Sequence, residues 1–118
     1  MSDIAKTRAR ARIVELNDQL RTTFKGGRVQ MTMGVFSLDP QIRGRALCAL
    51  SQYSRFAPDD DHDHGVFIFG GFAFEWQIEY RAIDGSGYSS DPADSSTTFR
   101  VLTLYVVKDL LVRGSSPC

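Results

Sequence analysis

Long apolar runs are missing from this 118-residue chain. Nothing approaches the roughly 18 residues of a membrane span, and the N-terminal stretch, with Asp3, Arg8, Arg10 and Arg12, has no signal-peptide core. A cytoplasmic protein with no membrane partner is expected. Cysteine is scarce, and Cys48 and Cys118 cannot make a disulfide framework. Cys48 lies in a helical pattern beside Ala49 and Leu50 and reads as a small buried hydrophobe, whereas Cys118 reads as an exposed thiol open to accidental crosslinking. Net charge is also missing: 14 basic and 14 acidic side chains cancel, so no global field draws the chain to nucleic acid or to an anionic membrane. Nucleophile elbows (G-x-S-x-G), phosphate loops (G-x-x-x-x-G-K-[ST]) and C-x-x-C pairs do not occur. The length leaves no room for a second domain. With 42% hydrophobic and 11% aromatic residues, the chain suits one α+β domain over residues 1–118 that buries its core without staples.

What is present is ordered by period. Residues 4 to 24 carry Ile13, Leu16, Leu20 and Phe24 at steps of three and four, which predicts an amphipathic helix ended by Gly26-Gly27. From Arg28 to Phe36 the period becomes two, with Val29, Met31, Met33 and Val35 on one face of a predicted strand. Asp39-Pro40 supplies an N-cap oxygen and a proline at the first helical position. The helix it starts runs to about Arg55 with Ile42, Ala46, Ala49, Leu50 and Tyr53 as its seam, and Gly44 inside it costs about 1 kcal/mol. Pro58 to Gly65 (PDDDHDHG) reads as a loop. Val66 to Phe69 and Phe72 to Tyr80 flank Gly70-Gly71, a hairpin signal that opposes Phe67 to Phe74 and Phe69 to Phe72. Phe67, Phe69, Phe72, Phe74, Trp76, Ile78 and Tyr80 then form a core face, and Glu75, Gln77, Glu79 and Arg81 a wet one. Residues 84 to 97 read as a polar loop. Phe99 to Val107 reads as a final strand, after which Lys108 to Val112 can finish as a helical turn. The expected order is helix-strand-helix-strand-strand-strand, with two helices packed on one face of a roughly four-stranded antiparallel sheet.

Charge divides along the chain. Residues 1–55 hold ten basic and four acidic side chains, a sum of +6, and residues 56–118 sum to −6. One pole can meet a charged partner, or the halves can neutralise each other through weak surface pairs. Asp59, Asp60, Asp61, His62, Asp63 and His64 are candidate metal ligands. On an extended segment, however, only His62 with His64, or Asp59 with Asp61, would share a side, and no calcium-loop register is present. No metal and no cofactor are expected. An acid–base pair from His62 or His64 with Glu75 or Glu79 has the right residue types but no fixed separation. Lys6, Arg8, Arg10 and Arg12 could touch phosphates, with Arg8 and Arg12 on one helical face, yet zero net charge predicts weak, salt-sensitive contact and no stable nucleic-acid partner.

Four blocks in order, GGRVQMTMGV (Gly26 to Val35), FAPDDDHDHG (Phe56 to Gly65), WQIEY (Trp76 to Tyr80) and SDPADSSTTFRVLTLY (Ser90 to Tyr105), resemble a bacterial family, the domain of unknown function 3768. Its members are often carried on plasmids, prophages and other mobile elements. In the family pattern the acidic loop closes on His-Asp-Phe-Gly; His62, Asp63 and Gly65 follow it, His64 departs from it, and the loop is shortened. The resemblance implies no reaction, substrate or cofactor. With no catalytic constellation, a split charge and this resemblance, the expected function is a non-enzymatic protein-binding module of a mobile element. Its partner would be a host or defence-system protein, such as a CRISPR effector or restriction nuclease. Asp59, Asp60, Asp61, Asp63, Glu75, Glu79, Asp91 and Asp94 would be the partner-binding carboxylates. Asp91 and Asp94 also suit a capped turn. A metal-dependent hydrolase using the Asp/His loop and a weak DNA-binding regulator are the alternatives.

Overall fold

The computed structural model describes residues 3–107. Helix α1 spans Asp3–Thr23, strand β1 Arg28–Met31, the single turn α2 Met33–Phe36, helix α3 Pro40–Ser51, and strands β2, β3 and β4 His64–Phe69, Phe72–Ala82 and Thr98–Val106. One four-stranded sheet runs β1-β4-β3-β2. The alternation around Gly70-Gly71 holds: β2 and β3 are antiparallel with Phe67 opposite Phe74 and Phe69 opposite Phe72. Both glycines take positive φ, +61° and +80°, as a two-residue hairpin turn requires.

The sheet is mixed, which corrects the antiparallel expectation. β3 and β4 are antiparallel, but β1 lies parallel to β4, with Val29 beside Leu102 and Met31 beside Leu104. Two helical segments and the β2–β3 hairpin separate β1 from β4, so β1 reaches the free edge of β4 from the far side of the chain. Residue alternation reports faces and carries no information about neighbours.

The strand expected over 28–36 stops at Met31, and Thr32 donates the last ladder bond to the Leu104 carbonyl at 3.1 Å. Continued alternation would put Met33 and Val35 on one face. The helical turn separates them, leaving Met33 78% exposed and Val35 0% exposed in the core. Two further ends differ from expectation. Phe24 does not extend the seam of α1: it takes φ +61° and is exposed, so α1 ends one residue before it and upstream of the glycine pair. Helix α3 ends at Ser51, while Tyr53 still packs against Trp76. Cys48 is exposed on α3 because the core side of that helix is taken by Ala46 and Leu50. Cys118 and the helical turn expected over 108–112 lie outside the described residues.

The helices meet the sheet over Phe74, Trp76, Ile78, Leu102 and Leu104, joined by Leu20, Val35, Ala46 and Leu50. Each large apolar side chain fully buried there contributes about 1.5–3 kcal/mol before conformational entropy is subtracted. No helix among the described residues is long and apolar enough to cross a membrane. Strand β2 starts two residues earlier than the sequence suggests, and the first of its core-facing positions is Gly65. A Cβ there would come within 2.6 Å of both Trp76 Nε1 and the Tyr53 ring. Gly65→Ala should therefore force two packed rings apart and lower stability by about 1–3 kcal/mol, measured as a fall in the urea midpoint with an unchanged slope.

Candidate functional site

The acidic loop does not run extended. His62 takes φ +60°, an unfavourable conformation for a non-glycine residue, and it redirects the chain into β2. Four contacts hold it there. Its N–H donates to Asp60 Oδ1 at 2.6 Å, its Nδ1 meets Asp18 Oδ1 at 2.9 Å, its ring stacks on Phe56 at 3.8 Å, and the carbonyl of the next residue, Asp63, accepts from Ile78 N–H at 2.7 Å. Asp18 Oδ1 also accepts from Arg21 at 2.9 Å. Arg21 is buried, its guanidinium carbon 4.8 Å from the Phe56 ring centre and 5.7 Å from that of Trp76.

Beside this cluster lies a buried network built from two elements that sequence reading treated as unrelated. Asn17 on α1 donates to the Asp61 carbonyl at 3.0 Å and to Tyr80 Oη at 2.9 Å, and its Oδ1 accepts from Arg100 Nε at 2.7 Å. Tyr80 donates to Asp63 Oδ2 at 3.0 Å, and Arg100 donates to the Pro92 carbonyl at 2.6 Å. Burial pushes the Tyr80 phenol well above its ordinary range and draws the Arg100 guanidinium down. One asparagine thus ties both polar loops to the sheet. Asn17 and Arg21 were legible in principle, since steps of four and three from Ile13 to Asn17 to Leu20, then Arg21, place them inside the apolar stripe of α1.

The turn at His62 also regroups the predicted ligands. His62 and His64 take separate aspartates, Asp18 and Asp63, in place of Glu75 or Glu79. Asp60, Asp63 and His64 bring one donor atom each within 4.8 Å of one another, a grouping that the extended-chain reading excluded. His64 Nδ1 lies 2.8 Å from Asp63 Oδ1, and that hydrogen bond, followed by the charges of Asp60, Asp63 and Glu75, outweighs partial desolvation and raises the imidazole above its ordinary 6.5.

The remaining partner-binding candidates fall in different places. Asp61 pairs with Arg10 at 3.2 Å, and Glu79 with Arg81 at 3.1 Å on the open sheet face, where Glu75 is exposed. Asp59 is exposed in the loop. Arg12 pairs with Glu15, so two of the four N-terminal cations proposed for phosphate contact are already engaged. Asp91 and Asp94 belong to the 83–97 loop, where they line a cavity of about 510 Å³ with Asp84. Asp94 accepts from Ser96 and Asp84 from Ser86, which holds both carboxyls below the usual carboxylate range. Among the described residues no basic side chain lines this cavity and no ion pair reaches Asp84, Asp91 or Asp94.

His62, Asp18, Arg21, Ser54 and Phe56 line a shallow cleft of about 370 Å³. An Asp–His pair can move protons, and Ser54 offers a hydroxyl, but no hydrogen bond joins Ser54 to His62, so no nucleophile–base pair is assembled.

The fold and site define a small α+β protein with a mixed sheet and two anchored acidic loops. The family model for proteins of unknown function, DUF3768, matches residues 31–109, and the chain belongs to that family. Neither a curated protein nor a solved structure matches it. The matched segment begins within the first block of resemblance and takes in the other three, but it leaves out α1.

Asn17→Ala should strand the Arg100 donor and free both loops. We expect a loss of about 2–4 kcal/mol in denaturant unfolding, with faster amide exchange over residues 84–97. The His64–Asp63 bond stabilises the fold fully below the unfolded-state value of about 6.5 and is lost as pH rises through the higher folded-state value. NMR titration should find His64 above 6.5, returning toward it in Asp63→Asn.

Proposed function

We propose that the protein is a non-enzymatic protein-binding module that docks a basic surface of its partner into the acidic cavity of the 83–97 loop. The observation that supports this reading is the unpaired state of Asp84, Asp91 and Asp94 among the described residues: three carboxylates line one cavity and no cation of residues 3–107 forms an ion pair with them. Two are kept ionised by donors of their own loop. The loop is pre-organised, since Arg100 holds Pro92 O, Thr98 Oγ1 donates to Asp91 O at 2.9 Å, and Ser89 N–H donates to Tyr80 O at 2.9 Å. Little ordering entropy then remains for binding to offset. Asp60, Asp63 and Glu75 around His64 give a second acidic area.

The partner's binding surface must be cationic, and the phosphate-binding groove of a nuclease has that chemistry. A host defence nuclease, either a CRISPR effector or a restriction enzyme blocked by carboxylates in place of phosphates, is the partner we propose, in keeping with the resemblance to a family of mobile elements. The double variant Asp91→Asn with Asp94→Asn keeps an acceptor oxygen for the loop's own donors while removing two charges. It should weaken capture of the partner about tenfold or more and flatten its salt dependence. Capture unaffected by both the variant and added salt would refute this reading.

The grouping of Asp60, Asp63 and His64 favours a second reading, a metal-dependent hydrolase on the acidic loop. Both Asp63 oxygens and Asp60 Oδ1 already hold protein donors, which a cation would have to displace. Stoichiometric zinc or manganese binding by calorimetry, lost in His64→Ala, is the outcome this reading requires.

A further inference from the structure

Strand β2 is an outer edge of the sheet. The opposite edge, β1, is protected by brevity and charge: it has four residues and opens on Arg28. β2 has six residues, His64–Phe69, with no Lys, Arg, Asp, Glu or Pro, and its register with β3 runs unbroken by any bulge. The two-residue turn makes Phe69 and Phe72 a bonded pair, so alternation turns the N–H and C=O of Ile68, Val66 and His64 toward the free edge. No hydrogen bond from any described residue reaches them there. The side chains at these positions lie on the open sheet face, with Val66 46% and Ile68 79% exposed.

We propose that this edge pairs antiparallel with β2 of a second copy of the chain, about a two-fold axis through Val66, to form a continuous eight-stranded sheet. The three edge-facing residues are symmetric about Val66. In this register Val66 opposes Val66 of the second copy and His64 opposes Ile68, and about six interchain hydrogen bonds form. Val66 and Ile68 of both copies become one apolar patch. On the helix side each Phe67 lies opposite Gly65, at the mouth of a groove of about 680 Å³ that Ala49, Gln52, Tyr53 and Arg55 line beside β2.

Charge selects a second copy as the occupant. The His64 end of β2 is surrounded by Asp60, Asp63 and Glu75. The other end meets α3: Ile42 lies 3.6 Å from where a Gly70 Cβ would sit, and exposed Arg45 follows one turn later on the helix stripe that carries Ala49 and Gln52. Antiparallel pairing sets the acidic end of each copy beside the basic end of the other, with His64, bonded to Asp63, the one titratable side chain on each paired strand.

The proposal does not rest on the acidic cavity. In sedimentation velocity from low micromolar to hundreds of micromolar, the chain should shift from monomer to dimer, and Asp91→Asn with Asp94→Asn should leave that shift unchanged. Val66→Lys and Val66→Glu substitute a solvent-exposed position, so each should fold, with far-UV circular dichroism as the check, and each should remain monomeric because like charges face across the axis. Mixing the two variants should restore a dimer. A wild-type chain that stays monomeric throughout, a dimer that survives both single variants, or a mixture that stays monomeric would each overturn the proposal.

Discussion

The bond between Asn17 and Arg100 is the constraint on which the rest of the structure depends. Arg100 is 2% exposed and finds no carboxylate among the described residues; its acceptors there are the Asn17 side chain at 2.7 Å and the Pro92 carbonyl at 2.6 Å, with the Tyr80 ring 5.1 Å from its guanidinium carbon. A guanidinium does not shed its proton to escape burial, so its donors must be met by the fold. Meeting them requires α1 to dock with Asn17 inward and the 83–97 loop to present one carbonyl. The same Asn17 amide then holds the Asp61 carbonyl and the Tyr80 hydroxyl. Helix position, loop conformation and strand β4 are therefore coupled through two side chains 83 residues apart.

That coupling sorts the carboxylates. Those near α1 are drawn into pairs: Asp18 with Arg21 and His62, and Asp61 with Arg10. Across the divide between the basic and acidic halves, Arg10–Asp61 is the one arginine–carboxylate pair among the described residues. Neutralisation is consequently local. The 83–97 loop, held to the network through Arg100, receives a neutral anchor from it and no counter-charge, and its acidity is directed outward. Exposed pairs such as Arg10–Asp61 add less than about 1 kcal/mol to stability, so the charge split bears on encounter far more than on folding.

The legible parts of the fold were those written in local periods. Gly70-Gly71 between two runs of alternating aromatics specified the hairpin and its register, and Asp39-Pro40 specified the start of α3, where Asp39 accepts from Gln41 N–H at 2.9 Å. Elements that depend on distant partners were not legible. β1 lies parallel to a strand some 70 residues later, and Val35 leaves the strand period for a helical turn because the core needs it and not Met33. The candidate site was legible as a list of acidic residues, but not as a geometry. Of the partners that give those residues their conformation, Asn17 and Arg21 stand out as polar members of the apolar stripe of α1, which marks them for burial without naming what they bind. The turn that groups Asp60, Asp63 and His64 comes from His62 at φ +60°, a conformation that is uncommon outside glycine and that no local pattern announces.

The family match divides the polar groups of this chain into those inside the matched segment and those that α1 supplies. The match covers residues 31–109, which include α2, α3, β2, β3, β4 and Met31 of β1, but none of α1. The counter-charge of the acidic loop, Arg10, the Asp18 that meets His62 and the amide that meets Arg100 all come from outside it. The Asp18–His62 contact therefore joins a residue outside the matched segment to one inside it. The cavity of the second loop is different, because every residue that lines it lies between Ala82 and Thr97, inside the matched segment. Its carboxylates are also capped by serines of the same loop, Ser86 and Ser96, and need nothing from α1 to stay ionised. The 83–97 cavity thus carries its own charge and its own caps within the matched segment, whereas the Asp18–His62 cleft draws Asp18 and Arg21 from α1, outside it.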